Sequence, residues 1–110
     1  MPEPTDNRAS THDVLSDRLH AAGIKPLKRL SALAAYGWIV LHLDPTHTCK
    51  LTANQLAARM NVSEDMLRRA LHALEAVAAI ETRPRGRDAS IVLSRGQGSV
   101  LAAYIELART

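Results

Sequence analysis

The spacing of apolar residues predicts two helices in the first part of the chain. Ser10 or Thr11 can cap the first helix, and Gly23 can end it, so this helix is expected over residues 10–23. The second opens with Pro26 and closes before Pro45, which cannot continue a helix. Its apolar residues cover more than one stripe, so we expect a central helix buried on more than one side. The residues at helical spacing are Leu27, Leu30, Leu33, Ala34, Gly37, Trp38 and Leu41, and Ile39, Val40 and Leu43 widen that surface.

A second pair of helices is indicated by capping residues. Thr52 and Gln55 have the spacing of a capping box, which predicts a helix from residue 53 to about residue 60. Asn61 tolerates the left-handed conformation that ends such a helix, and Ser63 can cap another directly afterwards. Two helices joined by about three residues cannot be collinear, so they are expected to cross as a helix-turn-helix.

The helix that Ser63 opens runs to about Val77 and separates apolar from charged residues. Its apolar residues recur at three- and four-residue intervals, which predicts that one face packs into the core. That face holds Leu67, Ala70, Leu71, Leu74 and Val77, and Arg68, Arg69, His72 and Glu75 lie elsewhere on the helix.

The remaining elements are short strands and a terminal helix. The segment CKL at 49–51 can form a short strand, and AAIETR and ASIVLS have strand character on either side of PRGRD. The latter two are expected to form a hairpin. Ser99 can cap a last helix over 99–109, whose apolar face is broader than one neighbour would need, so it predicts a partner surface.

Composition limits the possible classes of protein. A length of 110 residues fits one domain, expected over 10–110 with a core at about 27–95, after a disordered polar tail at 1–9. The net charge of +3 is mild, but its basic part is local, around residues 83–95. One cysteine excludes an intrachain disulfide, the chain lacks an apolar run of about 18 residues, and its polar start predicts that it has no signal peptide. A cytoplasmic protein without a membrane partner is therefore expected.

The order of these elements resembles a known architecture. Residues 51–93, LTANQLAARMNVSEDMLRRALHALEAVAAIETRPRGRDASIVL, resemble the winged helix-turn-helix of bacterial transcription regulators in the style of the GntR and MarR groups. The resemblance rests on LTANQLAARMNVS, with Leu51, Leu56, Ala57 and Val62 at the packing positions, on LRRALHALE and on AIETRPRGR. It implies an α+β, mostly α fold with flanking N- and C-terminal helices. It also implies that residues 10–23 and 99–109 form a homodimer interface.

Double-stranded DNA is the partner that this resemblance implies. The recognition helix 63–77 would enter the major groove, and the wing 83–88 would touch the backbone or minor groove. Glu64 and Asp65 favour the helix dipole but repel phosphate. Thr52 is more simply explained as a cap, although phosphate contact is also open to it. The candidate DNA-binding residues are Arg68, Arg69 and His72 on the helix, Arg83, Arg85 and Arg87 on the wing, and Thr52, Asn54 and Ser63 at the helix starts.

The segment PRGR also resembles the core of an AT-hook, which lies extended in a narrow minor groove. Such a hook usually continues with proline in a disordered basic tail, but here Asp88 follows and apolar strands flank the segment. With Pro84 rigid and Gly86 able to adopt a positive φ, the segment is interpreted as the tip of a hairpin. A solvated turn is the simpler alternative.

Other chemistry has weaker support in the sequence. His42, Asp44, His47 and Cys49 lie within eight residues and are all possible zinc ligands, but their spacing matches no recurrent motif. Cys49 lacks a third orienting group for nucleophilic catalysis, and the chain has no glycine-rich phosphate loop. We therefore expect no enzyme, no cofactor and no metal. A small-molecule effector has no support.

Two further functions remain open at this stage. Small winged domains also serve as plasmid or phage replication or partition factors, and the sequence does not separate these from a regulator. A winged domain can instead hold a protein complex together, with Glu64 and Asp65 facing a basic partner. The salt dependence of the affinity distinguishes a DNA-binding protein from a protein-interaction module, because binding to DNA phosphates releases counterions.

Overall fold

The computed structural model describes residues 11–109, except for the side chains of 107–109. The predicted tail at 1–9 lies outside the described residues. The described part contains five helices and a two-stranded antiparallel sheet, so the predicted mostly helical α+β winged helix-turn-helix is confirmed. The elements are α1 (Thr11–Ala21), α2 (Pro26–Leu41), α3 (Ala53–Met60), α4 (Glu64–Ala76), β1 (Ile80–Arg85), β2 (Asp88–Leu93) and α5 (Val100–Arg109). Between residues 11 and 109, no helix has the length and apolar character needed to span a membrane.

Caps define the two helices of the helix-turn-helix. Asn61 ends α3 in the left-handed conformation, with φ 59° and ψ 45°, as predicted. The Ser63 hydroxyl accepts a hydrogen bond from the Met66 N–H at 3.0 Å and so caps α4. At the start of α3, the Gln55 side chain accepts from the Thr52 N–H at 3.0 Å. The predicted capping box of Thr52 and Gln55 is present, and the interaction of the Thr52 hydroxyl with the Gln55 N–H is its weaker half.

The wing is the predicted hairpin. Strands β1 and β2 pair from Ile80 with Leu93 to Arg85 with Asp88, which leaves Gly86 and Arg87 as a two-residue turn. Gly86 has φ +64°, a conformation that favours glycine at the first position of such a turn. The proline of β1 is tolerated because β1 is the outer strand.

A third segment extends the sheet on the other side of β2. Thr48 pairs with Val92, and the Cys49 N–H donates to the Ile91 carbonyl at 2.7 Å. The strand expected at 49–51 is therefore wrong in its position and extent, because pairing falls on Thr48 and Cys49 as isolated bridges. The bond to β2 is made before the chain turns into α3.

The core confirms the face predicted for α4 and corrects the one predicted for α2. All five apolar residues assigned to the α4 face are buried. In α2 the buried residues are Ala32, Ala35, Tyr36 and Ile39, whereas Leu27, Leu30 and Leu41 are 80%, 64% and 79% exposed. The expectation that α2 is buried on more than one side is thus wrong within one chain. Short alanine side chains let neighbouring helices approach closely, so this face is the one that is covered.

The terminal helices pack together against the back of the winged core. The Arg18 guanidinium donates to the carbonyls of Val77 and Gly98, at 3.2 Å and 2.5 Å, and so links α1 to the segments after α4 and before α5. Ser99 caps α5 by accepting from the Ala102 N–H at 3.0 Å, as predicted. Val100 is fully buried.

The aromatic residues of α2 differ in burial. Tyr36 is buried, with the His12 ring edge-on at a centroid distance of 5.7 Å, and burial raises the pKa of its phenol. Trp38 is only half-buried and stacks on His42 at 5.9 Å. Trp38, placed by the sequence on the apolar surface of α2, is therefore only partly covered.

Candidate nucleic-acid interface

A cleft of about 250 Å³ lies between the recognition helix α4, the start of α3 and the wing. It brings together four of the predicted DNA-binding residues, which come from three elements distant in sequence. Acidic side chains share the same walls, so the cleft has mixed charge. The predicted residues are Asn54, Arg68, His72 and Arg87, and the acids are Glu64, Glu75 and Asp88.

Asp65 binds both arginines of the recognition helix. Its Oδ1 accepts from Arg68 Nη1 at 2.9 Å, and its Oδ2 lies 3.8 Å from Arg69 Nη2. All three side chains are exposed, so each pair is screened by water and contributes little to stability. The ion pairs matter for DNA binding, because an arginine held by Asp65 must leave that carboxylate before it can contact a phosphate or a base.

The two helix arginines point to different sides of α4. Arg68 faces the wing across the cleft. Arg69, together with Met66 of α4, lies against the start of α2. There it joins Lys25 and Lys28, two basic residues that the sequence interpretation did not select. Their position near Arg69 depends on how α2 crosses α4, and no local sequence signal reports that crossing.

The three wing arginines lie on two different surfaces. Arg87 sits in the turn and lines the cleft. Arg83 and Arg85 lie two residues apart on β1, so they share a strand face with Glu81. Arg83 Nη2 is 3.8 Å from Glu81 Oε1, and both side chains are exposed. The wing therefore presents one arginine to the cleft and two on its outer face.

Asp88 connects the wing to the start of α3, a contact that the sequence interpretation missed. Its Oδ1 accepts from the Asn54 N–H at 3.0 Å and from the Ala89 N–H at 2.7 Å. Partial desolvation raises the pKa of Asp88, but the nearby Thr52 hydroxyl, these two amides and Arg85 together hold the pKa below its usual value. Asp88 and Asn54 are 34 positions apart in the sequence, so their contact is visible only in the folded protein.

The remaining candidates occupy the helix starts. The Thr52 hydroxyl is buried and is not presented to solvent. Ser63 is exposed, although its hydroxyl already accepts the cap hydrogen bond. The Asn54 side chain is exposed, while its backbone N–H is taken by Asp88.

Two of the four possible zinc ligands, His42 and Asp44, make local hydrogen bonds. His42 Nδ1 lies 2.8 Å from the Trp38 carbonyl oxygen, and Asp44 Oδ1 accepts from the Thr46 and Thr48 amides at 2.8 and 3.1 Å. The hydrogen bond from the Thr46 hydroxyl, together with those from the two amides, lowers the pKa of Asp44. In residues 11–109, no three His, Cys, Asp or Glu side chains are grouped so as to hold a metal ion.

Comparisons with known proteins find similarity in overall fold only. No family model and no curated protein matches the chain. Reduced HlyU from Vibrio cholerae N16961 aligns with a TM-score of 0.49 and 23% identity, over 84% of this chain and 95% of that one. Another structure of the same protein gives 0.48 and 17%, over 86% and 89%. NolR from Sinorhizobium fredii gives 0.46 and 17%, over 98% and 95%. The winged helix-turn-helix is identified here by the geometry of α3, α4 and the wing.

Proposed function

We propose that the protein is a DNA-binding transcription regulator of the winged-helix class to which the GntR and MarR groups belong. The observation that carries this proposal is the cleft in which Arg68 and His72 of α4 stand opposite Arg87 of the wing. A recognition helix in the major groove and a wing on the backbone or minor groove would use such a pair of surfaces on one duplex.

The side chains have different parts in this proposal. Arg68 is the candidate for a bidentate contact with guanine or phosphate, and His72, one turn further along α4, is the second base-edge candidate. Arg87 contacts a phosphate or enters the minor groove from the turn. Arg83 and Arg85 lie on the outer face of β1 and add general attraction to the duplex rather than a contact inside the cleft.

A second function is favoured by one specific observation. Glu64, Glu75 and Asp88 line the same cleft as the two arginines, so the site carries three acids as well as its basic groups. A basic protein segment would pair with these acids, whereas DNA phosphates would be repelled by them. If the protein is instead an interaction module, its binding to a basic protein segment should survive the removal of the Arg68 side chain.

The test is a salt-titrated binding assay on random and genomic DNA, with sequencing of the retained fragments. DNA binding should weaken linearly in the logarithm of salt concentration, and Arg68→Ala should reduce the slope by about one. Arg95→Ala is a matched control, because this exposed arginine lies at the base of the wing, beside His47. Binding that ignores salt would overturn the proposal and favour the protein-interaction module.

The sequenced fragments also address the biological role. Sites upstream of genes support a transcription regulator, whereas clustered sites at one replication or partition locus support the alternative role. The predicted homodimer through 10–23 and 99–109 belongs to this proposal as well. In one chain α1 and α5 already pack on each other, and Ile105 is exposed on the last helix. If light scattering shows a monomer at high protein concentration, the proposed homodimer is wrong.

A further inference from the structure

A group of basic side chains lies where the start of α2 meets α4, away from the wing. Lys25, Lys28 and Arg69 line one open groove of about 490 Å³, together with Leu27 and Met66. All three basic side chains are exposed. Among the residues that the structure describes, no acid lines this groove, whereas three acids line the cleft beside the wing. We call Lys25, Lys28 and Arg69 the α2 basic cluster.

The two lysines of the cluster are available to bind an anion. Within residues 11–109, no acidic side chain lies at ion-pair distance from either of them. The first turn of α2 contains no acid, and Lys25 makes no side-chain cap. The neighbouring Arg29 differs, because its guanidinium donates to the Ile24 carbonyl at 2.7 Å. The lysines are therefore the basic groups at this helix start that no contact within the described chain holds.

The α2 basic cluster and the wing lie on opposite flanks of α4. Successive residues of a helix are about 100° apart, so the α4 residues that line the groove are centred about half a turn from those that line the cleft. Arg68 lies on the wing side and Arg69 on the α2 side. The strip between these two flanks is exposed and includes Asp65 and His72. This strip is the part of α4 that can enter a groove of DNA.

The dimensions of DNA give the two flanks different partners. An α-helix with its side chains is about 10–12 Å across, and the major groove is about 12 Å wide, so each flank of an inserted helix lies near one sugar-phosphate backbone. The wing side of α4 would approach one backbone, and the α2 side would approach the other. A lysine ammonium is a compact charge that suits a phosphate, and phosphate contacts position a protein without reading bases.

We propose that Lys25 and Lys28 bind phosphates of the backbone on the side of the major groove away from the wing, with Arg69 next to them. This inference rests on the proposed DNA binding and adds a second set of phosphate contacts to it. The recognition helix would then be held between Arg87 on one backbone and the two lysines on the other. Contacts on both sides fix the orientation of α4 in the groove.

A salt-titrated binding assay on a random duplex tests the number of contacts. Lys25→Ala combined with Lys28→Ala should reduce the slope of log affinity against log salt by about two, because each neutralised phosphate contributes about 0.9. Lys25→Arg combined with Lys28→Arg should keep the native slope. Leu27→Ser is the matched control, because Leu27 lies between the lysines, is 80% exposed and carries no charge. Circular dichroism checks that each variant folds.

The slopes separate this inference from the proposed function. An unchanged slope in the double alanine variant, or an equal loss in Leu27→Ser, would overturn the inference. If native binding depends on salt and Arg68→Ala reduces the slope, the proposed function still stands after that result. A native protein without salt-dependent DNA binding would overturn both.

Neutral phosphates test which side of the groove the lysines contact. Single phosphates of a genomic fragment that the native protein retains are replaced by methylphosphonates, and the loss of affinity is measured at each position. The double alanine variant should no longer respond at phosphates of one backbone, and Arg87→Ala should no longer respond at phosphates across the major groove. Loss of response at the same phosphates in both variants, or full response in the double alanine variant, would overturn the proposed placement.

Discussion

The carboxylate of Asp88, immediately after the wing turn, accepts a hydrogen bond from the backbone N–H of Asn54 at 3.0 Å. Asn54 is in the first turn of α3, where amides lack partners within the helix and the helix dipole favours a negative charge. The wing thus supplies a capping group to the first helix of the helix-turn-helix. This bond links the wing tip to the start of α3, and both residues line the cleft.

Replacing Asp88 with Ala should lower the free energy of unfolding by about 0.5–2 kcal/mol, the usual effect of losing a capping side chain. The pKa of Asp88 is lowered in the folded protein, so its contribution is present above the unfolded value, about 3.8, and is lost as the pH falls through the folded value. Denaturant unfolding of both proteins should therefore show a difference at pH 7 that shrinks below pH 3.8. Glu81→Gln is the control, and a difference independent of pH would contradict the capping role.

Removing Asp65 should strengthen binding to random DNA. Asp65→Asn frees Arg68 and Arg69 and removes a charge that repels phosphate. The same change weakens the dipole interaction of α4 by about 0.3–1 kcal/mol, so a small loss of stability is expected. Fluorescence anisotropy with a labelled random duplex measures the affinity.

Glu64→Gln is the control for this change, because Glu64 precedes Asp65 at the same helix start and lines the cleft. It removes the same charge without releasing an arginine, so its gain in affinity should be the smaller one. Equal gains from both variants would show that repulsion alone acts and that the ion pairs with Asp65 have no effect on binding.

The elements that the sequence predicts well are those set by local signals. The α4 face follows from one clear stripe, and the hairpin tip follows from Gly86 between strands. The buried side of α2 was mispredicted because apolar residues surround this helix, so periodicity does not choose between a leucine-rich face and an alanine-rich one. The Asp88 contact and the elements that Arg68 and Arg69 each lie against depend on how distant elements cross, and a pattern along the chain carries no information on that crossing.

The two helix starts should respond differently to loss of their hydroxyl groups. Ser63→Ala removes an acceptor that bonds the Met66 N–H, so it should destabilise the protein by about 0.5–2 kcal/mol. Thr52→Val removes a buried hydroxyl that makes only a weak capping interaction and keeps the shape of the side chain, so it should cost less. Thermal unfolding of the two variants compares them. A larger loss from Thr52→Val would indicate that the capping interaction of this hydroxyl is the stronger one.

Cys49 should react slowly with thiol reagents in the folded protein. The thiol is buried, and desolvation raises its pKa, so little thiolate is available and access is poor. A chromogenic disulfide reagent should label it rapidly only after urea has unfolded the chain. Fast labelling of the native protein at pH 7 would contradict the packing of the segment between α2 and α3.

Finally, the wing arginines should differ in their effect on DNA binding. Arg87 lines the cleft opposite Arg68, whereas Arg83 is paired with Glu81 on the outer face of β1. If one duplex occupies the cleft, Arg87→Ala should reduce the salt slope by about one, and Arg83→Ala should change it much less. Both variants keep the turn glycine and the Asp88 contact, so each is expected to fold. An equal reduction from both would mean that the duplex lies along the outer strand face, and an unchanged slope in both would remove the wing from the interface.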